Sequence, residues 1–232
     1  ASRFYAALFD WTTDMLTEEG EPYLVFRLDG EDVGGGLAVR SSDENSPRWN
    51  SFVSVVSADE SAARAQQLGG TVVAGPVDRD GLGRVAGLAD PQGATFFVWE
   101  AKGHIGAQRL DEPGCLCWTE LVTTDLARSQ EFYTSLFEWT ARHGRSGEYV
   151  EFFQGEEPIA GMLRGHPELR VATPYWMPYF AVTDVDDAVE VARRHFARIL
   201  MRPTDIPTVG RSAVLRDPLG ARFGMFGVHE AA

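Results

Sequence analysis

Glu120 lies two positions after Trp118 in an apolar run, Cys115-Leu116-Cys117-Trp118 to Val122, that reads as a β-strand. Alternation along a strand turns Trp118, Glu120 and Val122 to one face. A carboxylate held against tryptophan loses hydration, which raises its pKa and suits it to general acid-base work near neutral pH. It is equally suited to holding a cationic ligand, or to an ion pair with Arg211. Tyr149 and Tyr179 are the hydroxyls able to donate a proton or orient a ligand, and a buried structural role fits either as well. On the other strands the same alternation groups Met177 with Tyr179, Gly224 with Phe226, Asn50 with Phe52, and Phe97 with Trp99.

The remaining reactive residue types point to less. Cys115 and Cys117 form a C-x-C pair with no further cysteine, which is neither a zinc-ribbon spacing nor a C-x-x-C redox motif, so both read as reduced packing residues. His104, His143, His166, His195 and His229 include no pair at i, i+4 or at strand i, i+2 spacing, so they read as solvated or packing side chains. Neither a nucleophile elbow nor a Ser-His-Asp arrangement is present. Gly34-Gly35-Gly36 and Gly81-x-Gly83 lack the strand-to-helix setting of a phosphate loop and read as turns or close backbone packing.

The elements that must position these groups occur twice. FYAALFDW at Phe4–Trp11 returns as FYTSLFEW at Phe132–Trp139, and the echo continues through Trp49 and Trp176, Pro76 and Pro203, Gly83-Arg84 and Gly210-Arg211, and Asp90-Pro91-x-Gly93 and Asp217-Pro218-x-Gly220. In each half a helix (Ala1–Phe9, Leu126–Phe137) precedes strands near Tyr23–Leu28 and Val33–Val39, or Tyr149–Gln154 and Ile159–Leu163. A strand-helix-strand-strand-strand unit follows, over Asn50–Glu100 or Met177–Phe226. Asp184-Val185-Asp186-Asp187 supplies acids to a helix start, and D-P-x-G is turn chemistry. The reading is an α+β chain of four βαβββ modules in tandem duplication, with halves at 1–100 and 114–232 and a connector at 101–113. The second half has a strand ahead of its FY helix, and the first half opens on that helix at Ala1. A matching strand is expected ahead of Ala1.

Composition narrows the function. With 34 acidic against 21 basic residues the chain carries a formal charge of −13, which disfavours nucleic acid and suits a neutral or cationic partner. At 44% hydrophobic, with no run near the ~18 residues of a membrane span and no secretory leader pattern, a soluble cytoplasmic protein is expected. Lys102 is the only lysine among many arginines, as in GC-rich bacterial genomes.

F-Y-x-x-L-F-x-W, the helix start at Ala181–Ala188 and D-P-x-G-x-x-F together resemble the vicinal-oxygen-chelate superfamily, which includes glyoxalases, bleomycin-resistance proteins and extradiol dioxygenases. His104–Ala107 and Asp205–Arg211 bring the chain nearer to tandem glyoxalase-like actinobacterial proteins labelled hydroxylases. The resemblance implies two halves with open, curved mixed sheets and a ligand on the concave face. It also implies a divalent metal held at the heads of the first and fifth strands and on the last strand. Those positions are Trp118, Met177 and Gly224 in the second half, and Asn50 and Phe97 in the first. Trp, Met, Phe and Gly offer no hard donor, so no metal site and no cofactor is expected. By the same analogy a cleft lined by Trp118, Tyr149, Trp176, Met177, Arg211, Gly224 and Phe226, with Asn50, Phe97 and Trp99 as first-half counterparts, suits a flat organic ligand, and Gly224 favours an open pocket. Two functions follow: sequestration of an aromatic or cationic natural product, or metal-free tailoring chemistry with Glu120 and Tyr179 as acid-base groups. A monomer or loose homodimer is expected in either case.

Overall fold

The computed structural model describes residues 1–18, 21–38, 47–144, 147–165 and 173–228. His166, His229 and the expected strand end at Val39 lie outside them. The first module comprises α1 (Ser2–Phe9), β1 (Thr12–Glu18), β2 (Glu21–Leu28) and β3 (Glu31–Leu37). The second runs β4 (Phe52–Ser54), α2 (Ala58–Gln67), β5 (Thr71–Arg79), β6 (Gly83–Ala89) and β7 (Thr95–Ala101). The third is β8 (Leu116–Thr123), α3 (Leu126–Phe137), β9 (Thr140–His143), β10 (Tyr149–Gln154) and β11 (Glu157–Arg164). The fourth is β12 (Tyr175–Ala181), α4 (Val185–Arg194), β13 (Arg198–Ile206), β14 (Gly210–Arg216) and β15 (Arg222–Val228).

The strands run in the orders β1-β2-β3, β4-β7-β6-β5, β8-β11-β10-β9 and β12-β15-β14-β13. In the last three, the first strand pairs parallel to the last and the other pairings are antiparallel, so these sheets are mixed and open. Two strands differ from expectation. β1 is polar and β9 has four residues, and both are edge strands without an apolar alternation to reveal them. β5 and β13 extend past Pro76 and Pro203, because an edge strand with register shifts tolerates a missing amide.

Helix starts follow capping chemistry. Ser57, Asp125 and Asp184 accept from the amides of Glu60, Arg128 and Asp187. The F-D-W and F-E-W ends act by reversal: Asp10 and Glu138 both take the left-handed conformation at φ 58°, and the next residue, Trp11 or Trp139, turns into the core.

The chain divides into two compact units. One contains Ala1–Trp49, Gly106–Cys117 and Pro178–Ala232, and the other Asn50–Ile105 and Trp118–Met177. Each sequence half therefore supplies one module to each unit. In the first unit, Phe4, Tyr5, Phe9 and Trp11 pack with Phe180, Val189, Leu215 and Phe223. In the second, Ala58, Ala62 and Ala65 of α2 pack with Phe132, Tyr133, Leu136 and Phe96.

A chain of buried hydrogen bonds runs through each core. In the first unit the Trp49 indole donates to the Tyr5 hydroxyl (2.8 Å), which donates to Asp217 (3.0 Å). In the second, Trp176 donates to Tyr133 (2.9 Å), which donates to Asp90 (3.2 Å). The other carboxylate oxygen of each aspartate closes the D-P-x-G turn by accepting the amides of Gln92 and Ala94, or of Leu219, Gly220 and Ala221. The repeated Trp, Tyr and Asp are thus parts of one device. Burial, and then the aspartate charge, push both phenols well above their usual pKa.

The sign of the resulting pH dependence follows from linkage. A tyrosine whose folded pKa is raised contributes stability that is full below about pH 10 and is lost as pH rises toward the folded value. Unfolding above about pH 10 should therefore release protons, and Tyr133→Phe should lower that alkaline slope by one proton. At neutral pH the same substitution should cost about 1–3 kcal/mol, because the Trp176 N–H and the Asp90 oxygen lose their partner. Urea denaturation of both proteins from pH 7 to pH 11 measures both effects.

Candidate functional site

In the second unit, Leu121 of β8 enters the core and Glu120 faces the other side of the sheet, where only 8% of it is exposed. Its cross-strand neighbour on β11 is Gly161. A Cβ at Gly161 would lie 2.0 Å from the Tyr149 hydroxyl and 2.9 Å from the Trp118 indole nitrogen. The missing side chain thus makes room for the meeting of these two groups, in which Trp118 donates to Tyr149 at 3.0 Å. Tyr149 in turn donates to Glu120, and burial followed by the Glu120 charge pushes its phenol far above the physiological range. Trp118→Tyr149→Glu120 is therefore a third Trp-Tyr-carboxylate chain, on the sheet face away from the core. Its carboxylate can take a proton or hold a cation beside an oriented phenol.

An aromatic wall lies on the second module of the same unit. Phe52 and Phe97 stack with centroids 5.0 Å apart, and Phe52 is 56% exposed. Trp99 crosses Gly83 and donates to the His104 carbonyl at 2.8 Å. Asn50 is exposed just ahead of β4. A separate cleft of about 870 Å³ runs beside β4 and α2, lined by residues that include Phe52, Ser54, Arg64, Thr119, Trp139 and Trp176. Trp118, Tyr149 and Glu120 do not line this cleft. Trp176 and Met177 are buried, the indole being committed to Tyr133.

The first unit holds the other candidates. Tyr179 lies across Gly224, where a Cβ would stand 2.1 Å from the ring, so the space this glycine leaves is filled and not open as expected. Phe226 covers Gly210 in the same way. Arg211 grips Asp186 with two bonds of 2.6 and 3.1 Å and Asp205 with a third of 2.7 Å, in place of the Glu120 ion pair expected as one alternative. Arg84 repeats this clip with Asp59 and Asp78, which makes the arginine part of the scaffold. Burial raises both thiols, Cys117 to about 12, in keeping with unreactive packing residues.

At the metal positions Trp118, Met177, Gly224 and Phe97 offer no oxygen or imidazole donor to a dication, and Asn50 offers a single amide carbonyl, which does not make a site. Among the described residues no group of three or more His, Cys, Asp or Glu is placed to hold a metal ion. The Tyr149–Gly161 pairing was within reach of the sequence: Tyr23 and Gly35 have the same spacing, and a Cβ at Gly35 would fall 1.9 Å from the Tyr23 hydroxyl.

The tyrosine-over-glycine contact can be tested by adding one methyl group. Gly161→Ala should displace the Tyr149 ring and cost about 1–3 kcal/mol, the usual range for overpacking. In a Tyr149→Ala background the same change should cost far less. A double-mutant cycle by chemical denaturation measures this coupling.

Comparison with known proteins agrees with the fold. Residues 116–225 match the model of the Glyoxalase/Bleomycin resistance protein/Dioxygenase superfamily, and residues 1–99 match that of a glyoxalase-like domain. CFP32 of Mycobacterium tuberculosis is 31% identical, with 97% of this chain and 88% of that protein covered. The anthracycline biosynthesis protein DnrV of Streptomyces peucetius is 32% identical over 98% and 88%. The Mn(II)-bound glyoxalase of Novosphingobium aromaticivorans shares the fold at a TM-score of 0.62, with 19% identity over 97% of this chain and 78% of that one. No helix among the described residues is long and apolar enough to cross a membrane. Family motifs in both halves, and identity above 30% along nearly the whole length, make this chain a member of the glyoxalase/bleomycin resistance protein/dioxygenase superfamily.

Proposed function

We propose that the protein binds a small aromatic natural product or metabolite without a metal ion, as a sequestering or resistance protein of the cytoplasm. The observation that carries this reading is the Trp118→Tyr149→Glu120 chain, which puts an indole and a paired carboxylate where a metal-dependent relative would hold its first ligand. Trp118 offers a flat stacking surface, and Glu120 a counter-charge for a cationic group. The exposed Phe52–Phe97 stack supplies a second aromatic surface in the same unit. Two relatives named for anthracycline biosynthesis support a polycyclic aromatic ligand, and the net charge of −13 favours a cationic one. Monomers or loose dimers suffice for such binding.

A second reading, metal-free tailoring chemistry, rests on one observation: Tyr149 stays protonated beside a nearly buried carboxylate. Glu120 would then take a proton from the substrate, and the Tyr149 hydroxyl, released as that carboxylate is protonated, would donate to the developing oxyanion, with Tyr179 as the other candidate donor.

Titration of the metal-stripped protein with an anthracycline separates the two readings. Sequestration predicts saturable binding, a loss of about tenfold or more in Trp118→Ala, and recovery of the ligand unchanged. Turnover that Glu120→Gln abolishes with affinity intact would establish the enzyme instead. Binding that requires a stoichiometric metal would overturn both.

A further inference from the structure

We infer an oxyanion-binding site on the fourth module, in the first unit, built on a cross-strand row of three arginines. The β13–β14 register sets Arg198 opposite Arg216, and the β14–β15 register sets Arg216 opposite Arg222. Residues directly opposite on adjacent antiparallel strands share a face, so three arginine side chains leave the same face of the sheet from neighbouring positions at one end. The face can be identified. Ala213, Leu215, Phe223 and Met225 alternate with these positions and fill the core, so the arginines lie on the opposite face together with Val214, Gly224 and the Tyr179 ring that covers Gly224.

Folding does not explain the row. Like charges directly opposite one another destabilise a sheet, and the second module manages without them: Thr71, Ala89 and Thr95 occupy the equivalent positions in the same register. Two of its three members are left without a counter-charge, although acidic residues outnumber basic ones 34 to 21. Arg198 and Arg216 make no ion pair among the described residues, and the Arg216 Nε is buried without a hydrogen-bond partner. A buried donor without an acceptor is costly, and a guanidinium fork matches a carboxylate or phosphate with two parallel bonds. The chemical class is therefore an oxyanion, carboxylate or phosphate, and the neighbouring Tyr179 ring suits one that carries a planar aromatic group. This site is independent of the Trp118→Tyr149→Glu120 chain, which belongs to the other unit.

Isothermal titration calorimetry of the full chain with inorganic phosphate, benzoate and phenyl phosphate tests the site, with sodium chloride keeping ionic strength constant. Saturable binding of at least one probe is expected, weakened about tenfold or more in Arg216→Gln and Arg222→Gln. Arg216→Lys should recover only part of the affinity, because it restores charge without the fork, and Arg193→Gln should leave it unchanged. Benzoate stronger than phosphate would identify a carboxylate, the reverse a phosphate monoester; phenyl phosphate stronger than phosphate would locate the ring beside the row. Arg198 is exposed, so Arg198→Gln should fold normally and still weaken binding. Should Arg216→Gln fail to fold, the wild-type melting temperature decides: it must rise with the tightest probe above its value in sodium chloride of equal ionic strength. No saturable binding of any probe, or binding unchanged in folded arginine variants, would overturn the inference.

Discussion

Both units are organised around a buried aspartate that does two jobs with two oxygens. One oxygen gathers the amides of a tight turn; the other accepts a hydrogen bond from a tyrosine on a helix from the other sequence half. The tyrosine must be buried to reach it, so the helix must be amphipathic and aromatic, and the indole of Trp49 or Trp176 must fill the remaining acceptor site. An uncompensated polar group in such a core would be expensive, so the three residues depend on one another. This dependence explains why F-Y, the isolated tryptophan and D-P-x-G recur together.

Much of this framework could be read from the sequence. The helices, the capping acids and the duplicated turns follow local rules, and their positions agree with the structure to within a residue or two. The connection between them could not be read, because aligning the halves compares Tyr5 with Tyr133, whereas the hydrogen bonds join Tyr5 to Asp217 and Tyr133 to Asp90. β1 and β9 escaped notice because edge strands need no apolar alternation. The arginine row escaped because Arg198, Arg216 and Arg222 are neighbours only through strand register, which a single sequence does not reveal.

The glycines of the sheets needed the structure most. Gly224 suggests an open space when read as an absent side chain, but Tyr179 occupies that space. Gly161 and Gly35 are crossed by Tyr149 and Tyr23, and Gly83 and Gly210 by Trp99 and Phe226. Small and large residues are therefore matched in pairs across strands, with the ring shielding backbone that glycine would leave bare. Where the paired tyrosine also meets a carboxylate, at Glu120, this packing device becomes a polar site.

The interleaving of the units sets an order of assembly on the ribosome. Every residue of the second unit has been made once Met177 is added, and its tyrosine-aspartate bond spans 43 positions. The corresponding bond of the first unit spans 212, so α1, with Phe4, Tyr5 and Phe9 ready for burial, waits for β14 and β15. Loop closure over that distance is slow compared with local folding, and an aromatic helix face is exposed in the interval. The second unit can therefore close before the fourth module is complete, whereas the nascent first module has no partner module for its aromatic face until then.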